Sequence, residues 1–96
     1  MRDEFFEWDD TKAALNLKKH NISFEQARCA FDDQSVLMVD DEASSHDEDR
    51  YLAIGRFDGR LLTVRYTLRA DRTRIISARQ ANAREQHDYD RNQAAR

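Results

Sequence analysis

The sequence predicts an α+β fold, a mostly antiparallel sheet with two N-terminal helices packed on one face and a C-terminal helix, in the order β-α-α-β-β-β-β-α. Three observations predict it. Between Asp9 and Phe31, two capping signals introduce apolar residues spaced three and four apart, the period of an amphipathic helix. From Arg50 to Arg79, apolar and polar residues alternate, and an Asp58-Gly59 pair interrupts the alternation as a hairpin turn does. The 96 residues contain no Pro, no internal repeat and no linker, so residues 1–96 are expected to form one domain around a modest core.

Phe5, Phe6 and Trp8 make a short apolar opening suited to an edge strand. Asp9 or Asp10 then offers a side-chain oxygen to the unpaired N–H groups of a helix running to about His20, with Asn21 as its stop. Ser23 and Gln26 form a capping box that opens a second helix, whose Phe24, Ala27 and Phe31 share one face and which ends near Asp32-Asp33. Ser35 to Val39 reads as a strand. Asp40 to Asp49 is an acidic loop with almost no apolar content, and it cannot be core. Strands over Arg50–Phe57 and Arg60–Leu68 flank Asp58-Gly59, a pair that accepts the positive φ values of a type I′ turn. A further strand, Thr73–Arg79, follows a polar turn at Ala70-Asp71-Arg72. Residues 81–91 have helix-forming composition but only Ala81, Ala83 and Tyr89 to bury.

Alternation assigns the sheet faces. Leu62, Val64, Tyr66 and Leu68 should lie under the helices, with Leu61, Thr63, Arg65, Thr67 and Arg69 on the opposite face. In the last strand Arg79 alternates with Ser77 and Ile75, and Arg74, Ile76 and Ala78 form the other row. Arg65 and Arg79 therefore share an open face if the register allows.

Charge is divided unequally along the chain. Residues 1–49 hold 5 Lys+Arg against 14 Asp+Glu, a balance of −9, whereas residues 50–96 hold 11 basic residues, all Arg, against 5 acidic, a balance of +6. An arginine on a strand projects a planar fork of donors from a rigid surface, which suits bidentate contact with phosphate. A nucleic-acid backbone is the expected partner, despite a net charge of −3. No apolar run approaches a membrane span and the N-terminus lacks a basic-then-apolar signal region, so a cytoplasmic protein is expected. The lone Cys29 has no partner for a disulfide or metal site and reads as an inert, half-buried thiol.

Phe6-Glu7-Trp8-Asp9, then Lys12, Asn16 and Lys19-His20, then Ser23-Phe24-Glu25 with Ala27 and Phe31, then Ile54-Gly55, and finally Tyr66-Thr67, Arg69 and Arg74-Ile75-Ile76-Ser77-Ala78-Arg79, form a series that resembles the BrnT family. The resemblance runs from about residue 5 to residue 89 and is specific as a set. It implies a RelE-like fold and a ribonuclease toxin of a bacterial type II toxin–antitoxin module. It also implies a BrnA-type antitoxin, operator DNA bound only through the toxin–antitoxin complex, and a homodimer or a heterotetramer with the antitoxin as possible assemblies. The chain departs from the family at Gln80, where members usually carry a second basic residue.

RNA cleavage without a metal needs a proton taken from the 2′-hydroxyl, charge stabilisation at the crowded phosphorus and a proton for the 5′-oxygen. For acid and base the C-terminal segment offers Glu85, His87 and Tyr89, and RelE-like nucleases commonly rely on Arg, Lys and Tyr rather than a His pair. The resemblance thus implies Arg65 and Arg79 as phosphate stabilisers, with Tyr89 or Glu85, four residues apart on one helix face, as the proton-transfer group. Lys12, Lys19, Arg56, Arg69 and Arg74 are expected to contact the RNA backbone, and neither a metal nor another cofactor is expected. His46-Asp47-Glu48-Asp49 reads as a solvated or antitoxin-facing loop rather than a cation site.

Each candidate also has a plainer reading. Arg65 and Arg79 can be surface arginines paired with carboxylates; Tyr89 can anchor the last helix; Lys12, Lys18 and Lys19 can be a solvated face. His20 falls with Ala13, Asn16 and Leu17 on the apolar stripe of the first helix, which predicts a hydrogen-bonded structural histidine. Leu15 lies among the lysines, where a partner best explains it. A non-catalytic nucleic-acid binder accounts for the charge but not for the family resemblance, and an interaction module acting mainly as co-repressor accounts for the acidic half alone.

Overall fold

The computed structural model of the protein describes residues 1–42 and 49–95. Its elements are β1 (Phe6–Glu7), α1 (Asp10–His20), α2 (Phe24–Ala30), β2 (Leu37–Asp40), β3 (Tyr51–Phe57), β4 (Arg60–Arg69), β5 (Arg72–Gln80) and α3 (Ala83–Ala94). The predicted order is present. Most ends differ from expectation by one or two residues; α3 starts at Ala83 behind a capping box between Asn82 and Glu85 and ends three residues later than expected. The acidic loop falls mostly outside the described residues, and with it His46, Asp47 and Glu48.

Local chemistry explains the boundaries. Asp9 accepts from the Lys12 N–H to begin α1, and Asn21 ends it in the left-handed conformation at φ 58°. Ser23 and Gln26 satisfy each other's backbone at the start of α2. Asp58 and Gly59 both have positive φ, 52° and 77°, as a type I′ hairpin requires.

The sheet runs β1-β5-β4-β3-β2, with β1 parallel to β5 and every other pair antiparallel. On one face, α1 and α2 bury Trp8, Ile22, Phe24 and Ala27 against Ala53, Leu62, Val64, Tyr66 and Ile75. Fully burying a side chain such as Phe24 contributes about 1.5–3 kcal/mol. Gly55 lets this layer close: a Cβ there would lie 2.2 Å from the Ala30 carbonyl oxygen. On the other face α3 covers a smaller cluster of Ile54, Leu61 and Tyr89. Among the described residues no helix is long and apolar enough to cross a membrane.

The structure departs from the expected faces in the first half of β5, at Leu68 and at Leu61. Arg65 pairs with Ser77 but Tyr66 pairs with Ile75, which leaves Ile76 as an extra residue in β5. The bulge reverses the faces of the strand's first half. Ile75, expected beside Arg79, is instead 1% exposed in the helix-side core, and Arg74 comes to the open side opposite Thr67. Leu68, expected under the helices, is 59% exposed, since the end of the β4–β5 hairpin outruns the helix layer. Leu61 is buried under α3 rather than open.

Candidate active site

The site forms where the C-terminal end of α1 meets the edge of β5. Asn16 fixes this junction. Its side-chain amide donates to the Ala78 carbonyl at 2.9 Å and accepts from the Ala78 N–H at 3.0 Å, pairing with β5 as another strand would, and it also donates to the Ile22 carbonyl. Asn16 is buried, so these bonds satisfy both the amide and the strand edge. One helical turn later, Lys19 and His20 reach a cleft of about 330 Å³ whose other walls are Leu52, Thr63, Arg65, Ser77, Ala78 and Arg79. The register places Thr63 opposite Arg79 and Arg65 opposite Ser77, so both arginines enter the cleft from neighbouring strands on one face.

Each arginine is held by a carboxylate. Arg65 Nε donates to Asp41 at 2.7 Å, and the Asp41 side chain is only 4% exposed. Arg79 makes a bidentate contact to Glu85, 2.7 and 2.9 Å from its two terminal nitrogens. Glu85 accepts in addition from the Thr63 hydroxyl and the Asn82 N–H. Burial by itself would raise the Glu85 pKa, but the hydrogen bonds from Arg79, Asn82 and Thr63 outweigh it and hold the carboxyl below its usual value. The hydrogen bond to Glu85 also raises the Arg79 pKa. Beyond the two arginines lies a second concavity with an acidic rim, including Asp40, Asp41, Glu42, Glu85 and Asp88.

The other sequence candidates scatter. Tyr89 is 2% exposed, lines neither concavity and donates its hydroxyl to Asp33 at 2.6 Å. Burial and then the Asp33 contact raise its pKa, so Tyr89 anchors α3 to the sheet and is far from a free proton donor. Arg56 lies over the Tyr89 ring at 5.5 Å, and Arg74 is paired with Glu7 at 2.6 Å, tying β1 to β5. Arg56, Arg69 and Arg74 line neither concavity. Lys12 belongs to a shallow groove along α1 that shares Lys19, His20 and Ser77 with the cleft. His20 departs from expectation: it is half-buried, and among the described residues no hydrogen bond engages its ring. Helical spacing from Asn16 to His20 was a signal for their common face, but the β5 edge they meet lies far along the chain. Among the described residues no three His, Cys, Asp or Glu side chains gather where a metal ion could be held.

The model of a protein family described as the ribonuclease toxin BrnT of type II toxin–antitoxin systems matches residues 8–85, which include Asn16, His20, Arg65, Arg79 and Glu85. No individual curated protein matches the chain. Toxins of this class are paired with an antitoxin, which makes an antitoxin the protein's partner. With most of its length covered by the match, the chain belongs to the BrnT family of type II toxin–antitoxin ribonuclease toxins.

Proposed function

We propose that the protein is a metal-independent endoribonuclease that arrests growth by cleaving RNA and is neutralised by a BrnA-type antitoxin in the cytoplasm. The observation that carries this reading is the convergence of Lys19, Arg65 and Arg79 on one open cleft. Cations gathered on one cleft suit a phosphodiester, and their charge compensates the extra negative charge that develops when phosphorus becomes five-coordinate. Arg65 and Arg79 are the phosphate stabilisers. Lys19 and, further along the α1 groove, Lys12 guide the backbone into place. Glu85 fits a different role from proton transfer: with three hydrogen bonds on Oε1 and one on Oε2, two of the four from the guanidinium, it aligns the Arg79 fork.

The test is cleavage of a fluorescent RNA by the purified chain in EDTA. Cutting at the same rate with and without the chelator is the expected result. Cutting that needs added Mg²⁺ would defeat metal independence, and binding without cutting under either condition would favour a nucleic-acid-binding co-repressor. Co-expression of a BrnA-type antitoxin is expected to relieve growth arrest, and its failure to do so would remove that partner assignment.

A further inference from the structure

The cleft has stabilising cations but, in Glu85 and Tyr89, no usable proton acceptor. Glu85 is paired to the Arg79 guanidinium, accepts two further hydrogen bonds and lines the neighbouring concavity rather than the cleft, and Tyr89 is buried on Asp33 outside it. Of the remaining lining groups, Lys19, Arg65 and Arg79 are cations, and Leu52 and Ala78 are apolar. Thr63 has given its hydroxyl proton to the bond with Glu85, and Ser77 offers a hydroxyl, a poor base at neutral pH. His20 stands apart as an imidazole, the side-chain type that takes and returns a proton near neutral pH. We infer that His20, carried into the cleft by the Asn16–Ala78 clamp, is the general base that takes the 2′-hydroxyl proton of the bound RNA. This role rests on the endoribonuclease reading of the same cleft.

The step balances without any further reactant. His20 accepts the 2′-hydroxyl proton as the 2′-oxygen bonds to phosphorus. The bond from phosphorus to the 5′-oxygen then breaks, its electron pair goes to that oxygen, and the oxygen takes a proton from water. The products are a 2′,3′-cyclic phosphate and a free 5′-hydroxyl, and the imidazolium returns its proton to solvent. Arg65 and Arg79 face the phosphate oxygens during the same event. Asn16 acts as a positioning residue, because its bonds to Ala78 decide where the last turn of α1 meets β5.

The experiment compares wild type, His20→Ala and His20→Gln in single-turnover RNA cleavage, together with RNA affinity and thermal melts. His20→Ala is expected to lower the cleavage rate by roughly 10²–10⁴-fold with RNA affinity nearly unchanged, and added imidazole should restore part of the rate. His20→Gln keeps most of the volume and serves if the alanine variant is unfolded. A substrate with sulfur in place of the 5′-oxygen needs no proton on its leaving group, so a missing base still shows with it. Disappearance of the defect on that substrate would make His20 an acid and overturn the assignment. So would wild-type cleavage by a folded variant, or a loss matched by weaker RNA binding and unmoved by imidazole. Failure of the wild-type chain itself to cut RNA would instead overturn the endoribonuclease reading, and that is seen before any variant is made.

Discussion

Arg79 sits between two roles that its surroundings make compatible. Its terminal nitrogens are engaged by Glu85, while the side chain remains 39% exposed at the cleft. A fork held on one edge by a fixed carboxylate keeps its orientation without reorganising when charge develops opposite it, and preorganisation of this kind dominates electrostatic catalysis. Arg79→Ala is expected to lower the RNA cleavage rate by roughly 10²–10³-fold, the cost of losing one such donor. It also strips a buried carboxylate of its charged partner, so a loss of about 1–3 kcal/mol in urea unfolding should accompany it. Unchanged cleavage by a folded Arg79→Ala protein would reduce the residue to a structural ion pair.

Among the elements, the α1–β5 and α2–β3 junctions determine where the cleft walls stand. Asn16 supplies β5 with a donor and an acceptor where no further strand lies beside it, and the Ile76 bulge adjusts the faces so that Ile75 enters the core while Ser77 and Arg79 stay outside. At the second junction helix backbone touches sheet backbone. A methyl group at Gly55 would collide with the Ala30 carbonyl, which lies in α2 and cannot swing away as a flexible side chain would. Gly55→Ala is therefore expected to destabilise the protein by about 1–3 kcal/mol, the usual range for overpacking, as measured by urea unfolding. A midpoint equal to that of wild type would mean that α2 can lift from the sheet at no cost.

Across the whole molecule, carboxylates from the acidic half are distributed to arginines and backbone donors of every layer. Hydrogen bonds from Arg28 and from the Phe6 and Phe5 N–H groups lower the Asp3 pKa to about 2. The Lys12 N–H lowers that of Asp9, and Asp33 is lowered because contacts from Tyr89, Arg56 and Ser35 outweigh its burial. Glu85 behaves likewise. Every one of these groups binds its proton more weakly folded than unfolded. The stability they contribute is complete above the ordinary carboxylate range and is lost as pH falls through the folded values, down to about 2 for Asp3. Thermal melts should thus drop steadily from about pH 6 to about pH 3, and a midpoint that held or rose over that interval would contradict the linkage. Glu85→Gln should show a shallower acid slope than wild type, since one of the contributing groups is then absent.

The sequence by itself determined the features that depend on neighbours within about four residues. Asp9 and Ser23 as caps, Asn21 as a stop, Asp58-Gly59 as a type I′ turn and the alternation along β4 all act locally, so they were legible without the fold. The BrnT resemblance was legible for a related reason: its residues occur in a fixed linear order. Only the tertiary structure decided that Asn16 meets Ala78 across 62 residues, that β5 carries a bulge, that Glu85 and Asp41 hold the two arginines, and that Tyr89 turns inward while His20 faces the cleft. Those outcomes depend on strand register and on packing between distant segments. A shift of one residue in β5 exchanges its faces, and the side-chain pattern of a single strand does not say where the extra residue will be placed.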